Sequence, residues 1–108
     1  MKEFDHPQKS EISLCNVLLA LGDPIRLSIV SQLASESCEI GWGAFEVAVG
    51  KATLSHHMKS LRMAGLINHR KEGTRCYVAL RPELESLFPG LLSSILKASH
   101  SGSEHSAY

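Results

Sequence analysis

A chain of 108 residues has room for one domain with a modest core, and at this length a second copy covering part of its apolar surface would add stability. Its 11 basic and 11 acidic residues cancel, so the total charge excludes a uniformly cationic or anionic protein but hides any local asymmetry. No run of about 18 apolar residues occurs and the opening MKEFDHPQKS is polar, so neither a membrane span nor a secretory signal is expected, and a cytoplasmic location follows as the expectation.

In chain order, Ile12, Cys15, Leu18 and Leu19 predict a first helix that starts near Ser10 and closes at Gly22. Asp23 as N-cap and Pro24 at the first helical position open a second, with Ile25, Ile29, Val30 and Leu33 turned inward. From Ser35 to Val49 the apolar residues follow neither the helical nor the strand period. A short helix around Gly43–Ala48 is expected there as the first arm of a helix-turn-helix, with Trp42 and Phe45 read as core.

The stretch from Gly50 is clearer. At about 100° per residue, Leu54, Met58, Leu61 and Gly65 fall within about 40° of one another, one stripe of an amphipathic helix. Opposite lie Ala52, Ser55, His56 and Lys59, flanked by Lys51, Thr53 and Arg62: small, hydrogen-bonding and cationic side chains that suit a nucleic-acid groove. Gly65 supplies a left-handed C-terminal cap. Beyond it, Ile67 and His69, then Cys76, Val78 and Leu80, alternate with polar residues, which predicts two strands joined across Lys71, Glu72, Gly73 and Thr74. Arg70, Lys71 and Arg75 crowd the tip of this hairpin. Between Gly50 and Arg81 there are seven basic residues against Glu72 alone, a local charge of +6 that leaves −6 for the rest of the chain. Such asymmetry marks a polyanion-binding face on an otherwise neutral protein.

Pro82 starts a short helix with Leu84, Leu87 and Phe88, and Pro89–Gly90 break it before another with Leu91, Leu92, Ile95 and Leu96. This apolar surplus, together with the first helix, is the expected dimer interface. Residues 1–99 are read as one domain for DNA binding and dimerisation, and HSGSEHSAY from residue 100 to 108 as a disordered tail. No nucleophile–base–acid spacing, phosphate loop or dinucleotide fingerprint appears, so an enzyme is not expected.

LGDPIRLSIVSQL, KATLSHHMKSLRMAGLI and EGTRCYVAL, in this order, resemble the ArsR/SmtB family of bacterial winged-helix repressors over most of Ser13–Leu92. The resemblance implies a mainly α fold with a β-hairpin wing, a winged helix-turn-helix acting as a homodimer on double-stranded operator DNA of two-fold symmetry. Release by a ligand or a chemical change is implied too. The resemblance implies that Ser55 and His56 touch DNA while His57 packs inward; the helix faces and the hairpin charges themselves add Lys51, Ala52, Thr53, Lys59 and Arg62 at the groove and Arg70, Lys71 and Arg75 on the backbone.

The resemblance also points to metal or thiol sensing, which implies a metal or metalloid inducer and assigns no resident cofactor. The Cys-x-Cys pair of metalloid sensors is reduced here to Cys38, followed by Glu39 and Ile40. Where zinc sensors carry Asp and His on the last helix, this chain has Ser93, Ser94, Lys97 and Ser99, and His100, Glu104 and His105 would cluster only in a continuing helix. Cys15, Cys38 and Cys76 are therefore the candidate sensing residues, weighed against the ordinary role of a free cysteine as a small buried hydrophobe. The alternatives are a winged-helix protein-interaction module and a constitutive regulator without an inducer site.

Overall fold

The computed structural model describes residues 4–104, with side chains to residue 100. Its elements are α1 (Leu14–Leu21), α2 (Pro24–Glu36), β1 (Ile40–Gly41), α3 (Lys51–Ala64), β2 (Ile67–Glu72), β3 (Arg75–Leu80), α4 (Glu83–Leu87) and α5 (Leu91–Glu104). The three strands form one antiparallel sheet in the order β1-β3-β2, a winged helix-turn-helix arrangement. The core is shared by Val17 of α1, Ile29, Val30 and Leu33 of α2, Met58 and Leu61 of α3, and Leu66, Ile67 and Val78 around the sheet, all 1% exposed or less.

Local signals set most boundaries. Asp23 caps α2 by accepting from the backbone N–H of Ile25 and Arg26 at 2.8 and 3.1 Å, and Pro24 occupies the first helical position. The Arg26 amide is the main reason the Asp23 carboxyl sits below its ordinary pKa. At the end of α3, Gly65 adopts φ 90°, its N–H reaching the Arg62 carbonyl and the Leu66 N–H the Leu61 carbonyl. In the hairpin, Glu72 pairs with Arg75, so only Gly73 and Thr74 remain in the loop. That is tighter than the four-residue turn expected from the sequence, and Gly73 at φ 63° satisfies the first central position of a type II′ turn.

Three expectations are corrected. The first helix begins at Leu14, not near Ser10: Lys9–Glu11 form a separate 3-10 turn, Ser13 caps the Asn16 N–H at 3.1 Å, and Ile12 leaves the helical path to lie buried against Gly65. No helix spans Gly43–Ala48. A 3-10 turn covers Trp42–Ala44 and the chain then runs irregularly to Gly50, because its backbone is satisfied elsewhere. The Gln32 amide of α2 donates to the Glu46 carbonyl and accepts from the Glu46 N–H, at 3.2 and 3.0 Å, while Phe45 is buried and β1 draws Ile40 and Gly41 into the sheet. The helix preceding α3 is thus α2. Finally, α5 passes through Ser101, Gly102 and Ser103 to Glu104, so the expected tail begins inside a helix; residues 105–108 lie outside those described. One glycine costs a formed helix only about 1 kcal/mol, and His100 Nε2 lies 3.1 Å from Ser31 Oγ of α2, which ties this end down.

An N-terminal arm closes over the junction of α3 and β2. The Phe4 ring stacks on His69 with centroids 3.8 Å apart, the Arg62 guanidinium lies over Phe4, and Arg62 Nε donates to the Asp5 carbonyl at 2.9 Å. The backbone N–H of His69 donates to His6 Nε2 at 2.9 Å. Trp42 Nε1 donates to His69 Nε2 at 3.1 Å, and Arg62 lies 3.3 Å from Nδ1. Burial, reinforced by the Arg62 charge, lowers the His69 pKa to about 4. An imidazolium would also turn N–H groups toward two groups that only donate.

Two outcomes follow from this packing. A Cβ at Gly65 would lie 2.5 Å from Ile12 Cγ1 at a φ that L-residues resist, so Gly65→Ala is expected to cost about 2–4 kcal/mol, read as a lowered urea midpoint. Because folding depresses the His69 pKa, its contribution is intact above the unfolded value of 6.5 and disappears as pH falls from there through about 4. Stability is expected to drop by on the order of 3 kcal/mol over that window. His69→Gln should flatten the profile there, and an unchanged slope would contradict the assignment.

Candidate nucleic-acid interface

The face of α3 opposite the core is open. Lys51, Ala52, Thr53, Ser55, His56 and Lys59 are all exposed, while Leu54 and His57 are 8% exposed and Met58 and Leu61 fully buried. One helix thus holds an apolar stripe worth about 1.5–3 kcal/mol per large side chain and a polar ridge that costs nothing to leave in water. His57 packs inward as the resemblance implied, its Nδ1 4.0 Å from Asp23 Oδ1 and 3.5 Å from the Arg26 guanidinium, which in turn donates to the Ala20 carbonyl. The ridge is thereby referenced to the caps of α1 and α2. Gly50 caps α3 without a side chain, so the first-turn N–H groups meet no side-chain acceptor, the arrangement that favours an anion at a helix start.

The wing brings Lys71 and Arg75 to the same side as Lys51, across a cleft that all three line. Lys51, Lys59, Lys71 and Arg75 enter no ion pair among the described residues. Arg70 differs. It makes a two-point contact with the Glu39 carboxylate at 2.7 and 2.8 Å, a further bond to Glu72 at 2.8 Å, and lies 4.6 Å over the Tyr77 ring. These carboxylates raise its pKa and occupy the guanidinium. Arg62, also placed on the groove-facing flank by sequence, is half-buried against Phe4, Asp5 and His69. Of the ten residues selected from the sequence, eight are exposed, with Lys51, Lys71 and Arg75 lining one cleft, and two are engaged within the fold.

Neither His6 nor His69 carries a signal in the sequence, yet both organise the base of the wing. Phe4, His6, Trp42 and His69 are scattered along the chain, and only the folding back of the arm brings them together. Cys15 on α1 and Cys38 after α2 are exposed thiols, and Cys76 on β3 is half-buried. The three stand on separate elements, and among the described residues no three His, Cys, Asp or Glu side chains form a metal-holding group.

α1 carries an exposed apolar face: Leu14, Leu18 and Leu19 are 44%, 45% and 72% exposed, and Met63 at the end of α3 is 49% exposed. Among the described residues no single helix is long and apolar enough to cross a membrane.

Residues 23–69 match the family model described as bacterial regulatory protein, arsR family. The uncharacterized HTH-type transcriptional regulator YceK of Bacillus subtilis is 33% identical over 98 residues, covering 88% of this chain and 93% of that protein. Nodulation protein NolR of Rhizobium meliloti is 29% identical over 82% of this chain and 75% of its own length. The HTH-type transcriptional regulator KmtR of Mycobacterium tuberculosis is 26% identical over 89% and 72%. The crystal structure of M. tuberculosis Rv0081 superposes with a TM-score of 0.60 at 20% identity, covering 82% of this chain and 90% of that one, and so shares the fold. With the open ridge of α3 and the basic wing seated on that fold, the chain belongs to the arsR family of bacterial regulatory proteins and is a DNA-binding transcription regulator, not an enzyme.

Proposed function

We propose that this protein is a homodimeric, cytoplasmic repressor that binds a two-fold symmetric operator and leaves it on a chemical signal. The observation that carries the DNA-reading part is the division of α3: Lys51, Thr53, Ser55, His56 and Lys59 open to solvent, Leu54, Met58 and Leu61 held in the core. In this mechanism the N-terminal half of α3, with Ala52 allowing close approach, enters the major groove. Ser55 and His56 read base edges, and Lys51, Lys59, Lys71 and Arg75 neutralise phosphates on either side.

Dimerisation through α1 and α5 within the single domain is supported by the apolar surface that one copy leaves uncovered, Leu14, Leu18 and Leu19 above all. The inducer acts through the thiols. Exposure governs thiol reactivity, Cys38 lies on an exposed loop after α2, and Cys15 stands on the α1 face assigned to the dimer contact. Oxidation or soft-metal binding at Cys15 alters the contact between copies, and at Cys38 it disturbs the loop whose Glu39 holds Arg70 of the wing; either changes how ridge and wing meet the operator.

A gel shift on DNA upstream of the chain's own coding sequence tests the reading; binding that is weak and sequence-indifferent would make this a protein-interaction module instead. Lys59→Ala and Arg75→Ala are each expected to weaken all DNA sequences alike and to reduce the salt slope by about 1, whereas Ser55→Ala or His56→Ala changes base preference by about 1–3 kcal/mol at particular positions. Leu18→Glu with Leu19→Glu should yield monomers by sedimentation and at least tenfold weaker operator binding. Cys38→Ser is expected to blunt release by peroxide, arsenite and thiophilic metals, and full release from that variant would remove Cys38 from the mechanism.

A further inference from the structure

Between the wing, the Trp42–Ala44 turn and the start of α3 lies a cleft of about 610 Å³, a size typical of small-molecule sites. Two kinds of residue build it. Lys51, Lys71 and Arg75 bring three cations to it, each exposed and none paired with a carboxylate among the described residues. Trp42, Gly43 and Ala44 contribute an apolar wall, and Tyr77 supplies a second aromatic surface on β3. The walls are held in place. Trp42 is fixed by its indole N–H bond to His69, and Tyr77 is packed between Gly41, where a Cβ would come within 3.5 Å of the ring, and the Arg70 guanidinium.

A phosphodiester passing over the wing needs cations and hydrogen-bond donors at the surface, not a recess walled by an indole and a phenol. An apolar slot rimmed by positive charge matches a molecule that joins a flat hydrophobic ring to an acidic group. We propose that this cleft is an effector site for a small aromatic carboxylate, its ring against Trp42 and its carboxylate among Lys51, Lys71 and Arg75. Because these cations are the ones assigned above to phosphate contacts, the ligand and DNA compete for the same charges. Release then requires no movement between the two copies. The competition rests on the proposed DNA reading; binding in the cleft does not.

The test uses the full chain and salicylate as probe. Trp42 is the only tryptophan, so one indole N–H resonance in a proton–nitrogen spectrum reports on the cleft. Salicylate is expected to shift it saturably, while salicylamide, with the ring but no carboxylate, and inorganic phosphate, with charge but no ring, leave it in place. Gly43→Leu places a side chain where a Cβ meets nothing within 4 Å and keeps every cation, so it should abolish the salicylate shift while still binding DNA. At ten times its Kd, salicylate should raise the apparent Kd for operator DNA about elevenfold per cleft, roughly 120-fold for a dimer that presents both clefts to one operator, in the wild type and not in Gly43→Leu. No shift, an equal shift with salicylamide or phosphate, or a shift that survives in Gly43→Leu overturns the site. Salicylate binding without loss of DNA affinity overturns the competition. Failure of the untreated protein to bind DNA sinks the regulator reading alone, since the Trp42 resonance still decides whether the cleft takes the anion.

Discussion

A helix can offer a polar ridge to a duplex only if its other side is held firmly enough to fix where that ridge points. In this chain the holding is done by Leu54, Met58 and Leu61, sunk into a core that α1, α2 and the sheet share. Every other feature of the exposed polar surface depends on that anchorage. His57 registers the helix against the Asp23 cap and Arg26, and Gly65 stops it at the one point where Ile12 needs the room. The wing then leaves at an angle set by the left-handed turn at Gly65, and this brings Lys71 and Arg75 to the side of Lys51.

Charge on this surface is sorted by engagement as much as by sequence. Arg62 and Arg70 belong to the same basic stretch as Lys59 and Arg75, but one is drawn under an aromatic arm and the other is held between two carboxylates. The Glu39–Arg70 pair links the loop after α2 to the wing, so a residue one step from Cys38 bears directly on the hairpin. A thiol on that loop and an anion site under the wing tip therefore address neighbouring parts of one surface, by different chemistry.

What could be read from the sequence was what the chain decides locally. The Asp23–Pro24 start, the Gly65 stop, the Gly73 turn and the two faces of α3 each depend on residues within a few positions of one another, and the periodicity carried them. The segment from Gly41 to Val49 was not legible, because its conformation is imposed by partners far along the chain: Gln32 satisfying the Glu46 backbone, His69 holding Trp42, β3 recruiting a two-residue strand. The start of α1 was missed for the same reason, since the burial of Ile12 against Gly65 is a tertiary fact. For the candidate site, the eight exposed residues follow from helical and strand alternation. The engagement of Arg62 and Arg70 does not, because Asp5 and Glu39 lie far from them in sequence.

The sheet order leaves β2 with a neighbour on one side only, and a strand so placed invites another chain to pair with its unused N–H and C=O groups. Here the outward N–H of His69 is already taken by an imidazole nitrogen from residue 6, and Arg70, Lys71 and Glu72 add charge along the same strand. The arm thus guards the protein against edge-to-edge polymerisation, a hazard for any hairpin that projects far enough from its domain to touch another molecule.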